Sequence, residues 1–408
     1  MSQLIVIGGG AAGFFCAVNA ARLQPGLKVL IVEKSSKLLS KVRISGGGRC
    51  NVTHACFDIV EMSRKYPRGG NFVKKTFHQF FTRDTIQWFE ERGVQLKTEE
   101  DGRMFPTTNS SQTIIECLLR EVNRYNVEIK LNTEIKSIRQ LATGNWQLEA
   151  TNCELPIANW ICVASGGYPK SSQFEWLKTT GHTIEEPVPS LFTFNMPNHP
   201  ITKLMGVSVE NARVRIAGSK LQQEGPLLIT HWGLSGPAIL KQSAWGAREL
   251  ASMNYRFRIA VNWLPDHTEQ SLATHLQSLR FEIAAQKIGN RNPFGIPNRL
   301  WEYLLEHSGV DGEKRWADLP AAQQNKLVKT LCNHEFEVNG KTTFKEEFVT
   351  AGGIKLNEVD ASTMQSKIQP GLFFAGEILD VDGVTGGFNF QHAWTSGWIA
   401  ATAITNRK

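Results

Sequence analysis

Gly8, Gly10 and Gly13 in "VIGGGAAG" match the pattern G-x-G-x-x-G, the spacing with which a backbone turn receives a pyrophosphate. Gly8 is placed to make the tight turn, Gly10 to let phosphates approach the backbone, and Gly13 to let a helix pack closely on a strand. Ala11 and Ala12 follow at the helix start, where the positive end of the helix dipole stabilises an anion. Glu33 comes 20 residues after Gly13. An acid at that distance accepts hydrogen bonds from ribose hydroxyls, which favours FAD or NAD over NADP. Lys34, next in the chain, is counted with it as a candidate contact.

A second stretch, "ISGGGRCNVT" (residues 44–53), sets Ser45, Gly46, Gly47 and Gly48 before Arg49, Cys50 and Asn51. Glycine loses more conformational entropy on folding than any other residue, so a triplet suggests backbone that passes very close to something. Lys41 and Arg49 are candidates for an anionic phosphate or substrate. Cys50 invites a redox reading, yet its nearest thiol, Cys56, is one position too far for the C-x-x-x-x-C pair of disulfide flavoenzymes. Without a resolving thiol at that spacing, a small buried residue is expected.

The third stretch, "GLFFAGEILDVDGVTGGFNFQHAWTSGWIAATAI" (residues 371–404), decides between the cofactors. An apolar strand leads to Gly376 and Glu377, and a glycine-rich loop ends at Gly387. Phe388, Asn389 and Gln391 then open a helix. An acid at a strand end, a glycine loop and a helix N-terminus can hold a ribityl–phosphate chain and the pyrimidine edge of a flavin. FAD is therefore the expected cofactor.

The elements that position these residues are legible from periodicity. "LIVIGGGAAGFFCAVNAARL" reads as strand, turn and helix, and "KVLIVEK" as a second parallel strand. "VEIKLNTEIKSIRQLATGNWQLEA" alternates as a β-meander, and "NWICVASGGYPKSS" is another strand followed by paired glycines. In the middle, "SLFTFNM", "VENARVRIAG", "GPLLITH" and "YRFRIAVNW" have strand character, whereas residues 266–333 carry helical periodicity broken by proline and glycine. The expected fold is α/β: a Rossmann-type FAD-binding domain (parallel sheet plus β-meander) with an inserted β-barrel and helical subdomain. The expected boundaries are 1–190 with 348–408 for the FAD domain, 191–265 with 334–347 for the barrel-like insert, and 266–333 for the helical part.

The motifs "VIGGGAAG", "ISGGGRCNVT", "THWGLSGPAIL", "FVTAGGI" and "GLFFAGEILDVDGVTGGFNFQHAW" closely resemble the BaiN/YhiN-like family of FAD-binding oxidoreductases, distant relatives of fumarate reductase flavoproteins. The resemblance spans the whole chain. It implies that Ala164 and Gly166 end a strand against FAD, that the main chain at Ile135 meets the adenine, and that Ser45 to Gly48 run past the flavin. It also implies hydride transfer through the flavin to or from a small organic substrate, with NADH or NADPH as a possible transient donor. No second G-x-G-x-x-G is present for a separate nicotinamide domain. His231, Ser235, Asn389, Gln391 and His392 are candidates for a substrate site, with the catalytic residue left open.

Composition bounds the alternatives. The 408 residues, 41% hydrophobic and 20% charged, describe a multi-domain globular protein. Apolar runs are too short to span a membrane. Seven scattered cysteines without any C-x-x-C argue against a disulfide framework and a zinc site, and a reducing cytoplasm is expected. No metal is expected. The net charge of +7 keeps open a flavin-dependent RNA-modifying enzyme, although the basic residues lack the aromatic interleaving of a nucleic-acid surface. The group Arg64, Lys65, Arg68, Lys74 and Lys75 reads as a solvated face, so nucleic acid is not the expected partner. A non-catalytic flavin-binding sensor is the remaining class. Oligomeric state is not encoded in any motif.

Overall fold

Residues 2–343 and 349–406 are described by the computed structural model. Five short apolar runs make its first sheet. They are β1 (Gln3–Ile7), β2 (Lys28–Val32), β3 (Glu128–Lys130), β4 (Trp160–Val163) and β5 (Leu372–Phe374). All pair in parallel in the order β5-β4-β1-β2-β3. Leu4, Ile5, Ile161, Val163, Leu372 and Phe374 are fully buried, as expected where both faces of a parallel sheet are covered. In register, Ile7 faces Val32 on one side and Val163 on the other. The chain runs outward from β1 through β2 to β3, then returns to β4 on the opposite side. That reversal creates a crevice beyond the carboxyl ends of β1 and β4, where open α/β sheets bind ligands.

Helix α1 (Ala11–Leu23) follows β1, α2 (Ser111–Arg124) precedes β3, and α3 (Phe388–Thr405) follows β5. The Ser110 hydroxyl caps α2 by accepting from the Gln112 N–H, and α2 buries Ile114, Ile115, Leu118 and Val122. Helix α3 is buried almost all round and packs its small residues on α1. A Cβ at Gly397 would lie 2.7 Å from the Ala12 carbonyl oxygen. Within residues 127–150, β3 joins the parallel sheet, while Ile135–Gln140 and Trp146–Ala150 pair as an antiparallel ribbon. Single bridges from Trp146 to Ala158 and from Glu149 to Glu154 extend that ribbon.

The chain divides into two compact units, with Leu191–Thr343 forming the second and the described residues on either side forming the first. The expected boundary at 347/348 lies outside the described residues. The first unit also holds an antiparallel pair, Ile184–Ser190 with Val349–Ile354, in which Ser190 faces Val349. The second unit contains a seven-stranded antiparallel sheet. Its chain segment from His334 to Thr342 pairs with Arg256–Asn262 at one edge and with Thr193–Asn195 at the other, which curls the sheet toward a barrel. Helices Glu269–Glu282, Asn298–His307 and Ala321–Cys332 close over a core holding Trp263, Trp301 and Trp316.

Candidate functional site

The turn after β1 is built as its glycines require. Gly8 takes φ +117°, and a Cβ there would lie 2.3 Å from the Ala164 carbonyl oxygen, so the turn touches the end of β4. A Cβ at Gly13 would lie 2.0 Å from the Gly8 carbonyl oxygen, which makes Gly13 the packing glycine. Gly10 differs: a Cβ there would meet no atom within 4 Å. Gly10 is also the N-cap of α1, with no side-chain cap and no acid in the first turn. The start of α1, with Ala11 and Ala12, thus presents uncompensated N–H groups beside open space, which suits phosphate. Glu33, at the end of β2, is already oriented. Its Oε2 accepts the Gly9 N–H (2.8 Å) and its Oε1 accepts both the N–H and the hydroxyl of Ser35 (2.9 Å each). Lys34 is exposed, its ammonium 5.2 Å from the Tyr168 ring centre.

The SGGG stretch is a helix that unwinds rather than a plain loop. Residues from Ser40 coil until Ser45, where ψ is 147°, and Gly46, Gly47 and Gly48 then take φ of 59°, 67° and 82°. Three consecutive left-handed residues explain why glycine is needed. Cβ atoms at Gly47 and Gly48 would meet nothing within 4 Å. Arg49 closes the turn by donating to the Gly46 carbonyl (3.3 Å), pairing with Glu99 (2.5 Å) and stacking over Phe105 (4.0 Å). Its guanidinium is therefore occupied by protein groups. Cys50 also has positive φ, 59°, and is fully buried. Burial pushes its thiol up to about 12, against a smaller opposing pull from Ser45, so it stays protonated and unreactive at neutral pH. Asn51 links the two ends of the chain. With its amide oriented by the hydrogen-bond pattern, its oxygen accepts the Gly387 N–H (2.9 Å) and its nitrogen donates to the Thr53 carbonyl (2.9 Å).

At the C-terminal strand, Gly376 has φ +74° and brings the chain against α1, where a Cβ would meet that of Ala12 at 2.8 Å. Its N–H donates to Ser396 (2.8 Å). Glu377 is bonded to the Lys41 ammonium (2.5 Å) and the Thr350 N–H (2.9 Å). Lys41, expected at a phosphate or substrate, thus lies on a carboxylate. Gly387, with φ +91°, is the uncapped N-cap of α3. Phe388 is buried beside it, and Asn389 exchanges hydrogen bonds with both backbone groups of Gly383 (2.8 and 3.0 Å). Gln391 lies wholly inside. Its oxygen accepts from Thr53 (2.6 Å) and Thr85 (3.0 Å), and its nitrogen donates to Thr395 (3.1 Å). That environment gives it a role in seating α3. His392 is buried, and its Nε2–H donates to the Gly376 carbonyl (3.3 Å). Burial lowers it to about 4, against that bond, so the ring is neutral at pH 7.

Of the remaining expected positions, Ala164, Gly166 and Ile135 lie in the first unit, and His231 and Ser235 in the second. The Ala164 N–H donates to Ile7 (2.8 Å), Gly166 takes φ +75° with no atom within 4 Å of a Cβ, and Ile135 is buried opposite Ala150. His231 is exposed in the second unit, edge-on to Trp232. Two residues that no motif marks, His54 and Tyr66, shape the glycine loop, and a third, Arg68, departs from its expected setting. His54 stacks on Phe388 (centroids 4.7 Å apart) with its Nδ1 on the Gly386 carbonyl (3.0 Å). The Tyr66 hydroxyl donates to the Phe388 carbonyl (2.6 Å). Arg68 corrects the reading of a solvated basic face: it is nearly buried and makes a bidentate pair with fully buried Asp382, which also accepts from Ser190 (2.8 Å). Burial pushes the Asp382 carboxyl up, and Arg68 pulls it back. No local pattern marks such a pair, because its partners are 314 positions apart.

The residues present fit a flavin dinucleotide. Open space faces the backbone at Gly10, Gly47, Gly48 and Gly166, two helix starts lack side-chain caps, and Glu33 and Glu377 are oriented carboxylates. Among the described residues, no cluster suits a metal ion and no helix is long and apolar enough to cross a membrane.

Comparison with known proteins agrees with this fold. Residues 2–403 match the HI0933-like protein Rossmann domain. A ribosomal RNA dihydrouridine synthase of Escherichia coli is 31% identical over 419 residues, covering 99% of this chain and 98% of its own. A 3-dehydro-bile acid delta(4,6)-reductase of Clostridium scindens is 27% identical over 419 residues, covering 100% of both chains. Among solved structures, the 3-ketosteroid delta1-dehydrogenase of Sterolibacterium denitrificans superposes with a TM-score of 0.54 at 13% identity, covering 100% of both chains. The open form of a flavocytochrome c3 fumarate reductase gives a TM-score of 0.51 at 15% identity, covering 99% of this chain and 78% of that one. At such identities these structures speak to the fold.

Proposed function

This chain belongs to the HI0933-like protein Rossmann-domain family and is an FAD-dependent oxidoreductase, and from that premise we propose that it reduces an electron-poor carbon–carbon double bond, one conjugated to a carbonyl, in a small organic substrate. Bound FAD supplies a two-electron carrier that takes up and gives a hydride. The start of α1 and Glu33 would hold its pyrophosphate and adenosine ribose. Ser45 to Gly48, Glu377, Gly387 and Asn389 would hold the polyol and ring. One observation carries the cofactor part of this reading: the end of β4 and the residues after β5 both reach the turn and start of α1, with Ala164 against Gly8 and Gly376 against Ala12. That convergence suits a ligand longer than a nicotinamide dinucleotide's first half.

The choice of bond comes from the relatives. One is named for reducing a bile acid at delta(4,6) and another for making dihydrouridine, a uridine with two hydrogens added across a ring double bond. Both names describe hydrogen added to an unsaturated ring that carries carbonyls. The same chemistry on a uracil ring within RNA is the second reading, favoured by the relative at 31% identity. NADH or NADPH is the proposed reductant.

The test is anaerobic. FAD-loaded protein is mixed with NADH or NADPH while flavin absorbance is followed, and the bleached protein is then offered a steroid enone, a simple cyclic enone or a uridine-containing ribosomal RNA. Bleaching by a nicotinamide and reoxidation by an enone supports the main reading. Reoxidation by RNA alone favours the second. A bound flavin that no donor bleaches would sink both.

A further inference from the structure

Glu377 is held from two directions at once. Its Oε1 accepts the Thr350 N–H at 2.9 Å, and its Oε2 accepts the Lys41 ammonium at 2.5 Å. The glycine at 167 is what leaves room for this arrangement, since a Cβ there would lie 2.5 Å from Thr350 Oγ1 and 2.9 Å from Glu377 Oε1. Thr350 Oγ1 is itself buried without a hydrogen-bond partner, so Thr350 serves Glu377 through its backbone alone. A carboxylate can accept about four hydrogen bonds; the two donors named leave lone pairs on both oxygens for hydroxyl groups.

Lys41 reaches Glu377 from a well-anchored backbone. The Leu39 N–H donates to the Gly9 carbonyl (2.9 Å), and the Ser111 hydroxyl donates to the Arg43 carbonyl (2.7 Å). The segment bearing Lys41 is therefore tied to the glycine-rich turn on one side and to α2 on the other. Its ammonium crosses to a carboxylate 336 positions away. Exposed ion pairs contribute little as a rule. Here the lysine side chain is 44% exposed but the glutamate only 17%, and the glutamate's second oxygen is already fixed by a backbone N–H.

We propose that Lys41 is a positioning residue for the cofactor. By holding Glu377 Oε2 while Thr350 holds Oε1, it turns the free lone pairs of the carboxylate toward the polyol hydroxyls of FAD, and so sets how long FAD stays bound. The proposal rests on the FAD reading given above. Because Lys41 acts through charge and is half-solvated, salt weakens its hold.

The test measures FAD dissociation from the loaded full-length protein, read as flavin fluorescence after dilution at low and high salt. Lys41→Ala is expected to release FAD roughly tenfold faster, the scale of one charge-assisted hydrogen bond, and to lose most of the salt dependence seen in the parent. Lys41→Arg is expected to restore both. The melting temperature of the FAD-free Lys41→Ala protein should match the parent, which separates positioning from folding. An unchanged release rate in Lys41→Ala, or equally fast release from the Ala and Arg variants, would overturn the proposal while leaving the FAD reading intact. A parent protein that takes up no FAD would overturn both.

Discussion

Gly8 and Gly10 stand two residues apart and should fail in opposite ways when given a side chain. At Gly8 a Cβ would lie 2.3 Å from the Ala164 carbonyl oxygen with φ at +117°. Gly8→Ala should therefore destabilise the fold by about 2 kcal/mol or more, from strain and overpacking together, seen as an earlier urea midpoint even without FAD. At Gly10 a Cβ meets nothing within 4 Å, so Gly10→Val should leave the FAD-free midpoint nearly unchanged yet abolish FAD retention on gel filtration. If Gly10→Val keeps its flavin, the open space there is not the phosphate cradle. The tight turn at Gly8 and the open backbone at Gly10 were legible in the sequence, because glycine spacing reports local backbone geometry. The surroundings of His54 and Arg68 were not, since each depends on a partner more than 300 positions away, 332 for His54 and 314 for Arg68.

At the scale of elements, α3 does two jobs that the sequence merges. Its run of small residues, Ala393, Ser396, Gly397, Ala400 and Ala401, reads correctly as a helix face, and that face packs on α1. Gly397 is the closest approach, with a Cβ 2.7 Å from the Ala12 carbonyl and 3.1 Å from the Cys16 N–H nitrogen. Gly397→Val should push the helices apart, costing about 1–3 kcal/mol in a thermal melt and weakening FAD binding as the start of α1 shifts. A melt within error of the parent would show that the helices are not locked there. Gln391 illustrates the limit of the sequence. Its position just after the glycine loop suggested the cofactor, but one helical turn separates it from Thr395, to which it donates, and the helix phase carries it inward. In a helix buried almost all round, polarity alone does not reveal which side faces a ligand.

For the whole molecule, acid should weaken both units. Burial lowers His334 in the second unit to about 3 and His392 in the first to about 4, from 6.5. Above pH 6.5 each is neutral folded or unfolded and contributes no pH dependence. Below it the unfolded chain takes up protons that the folded chain refuses, so stability falls until the folded value is reached. Each histidine should contribute a slope of about 1.4 kcal/mol per pH unit in that window, measurable by urea denaturation from pH 7 downward. His334→Gln should flatten the slope for the second unit, and an unaltered slope would show that another group dominates. The strands and helices of the second unit were legible because strand and helical periodicity occupy separate blocks there, whereas the curl of its sheet was not. It depends on one segment, His334 to Thr342, pairing at both edges, and strand pairing leaves no mark in the sequence of either strand. The second unit's chain leaves and re-enters the first at neighbouring strands. Ser190 and Val349 are opposite rungs of one antiparallel ladder, so to the host sheet everything between them is a single hairpin turn grown very long. Lengthening a turn costs only logarithmically in closure entropy. Such a cassette can be enlarged, trimmed or exchanged for another without rethreading the strands it leaves from and returns to.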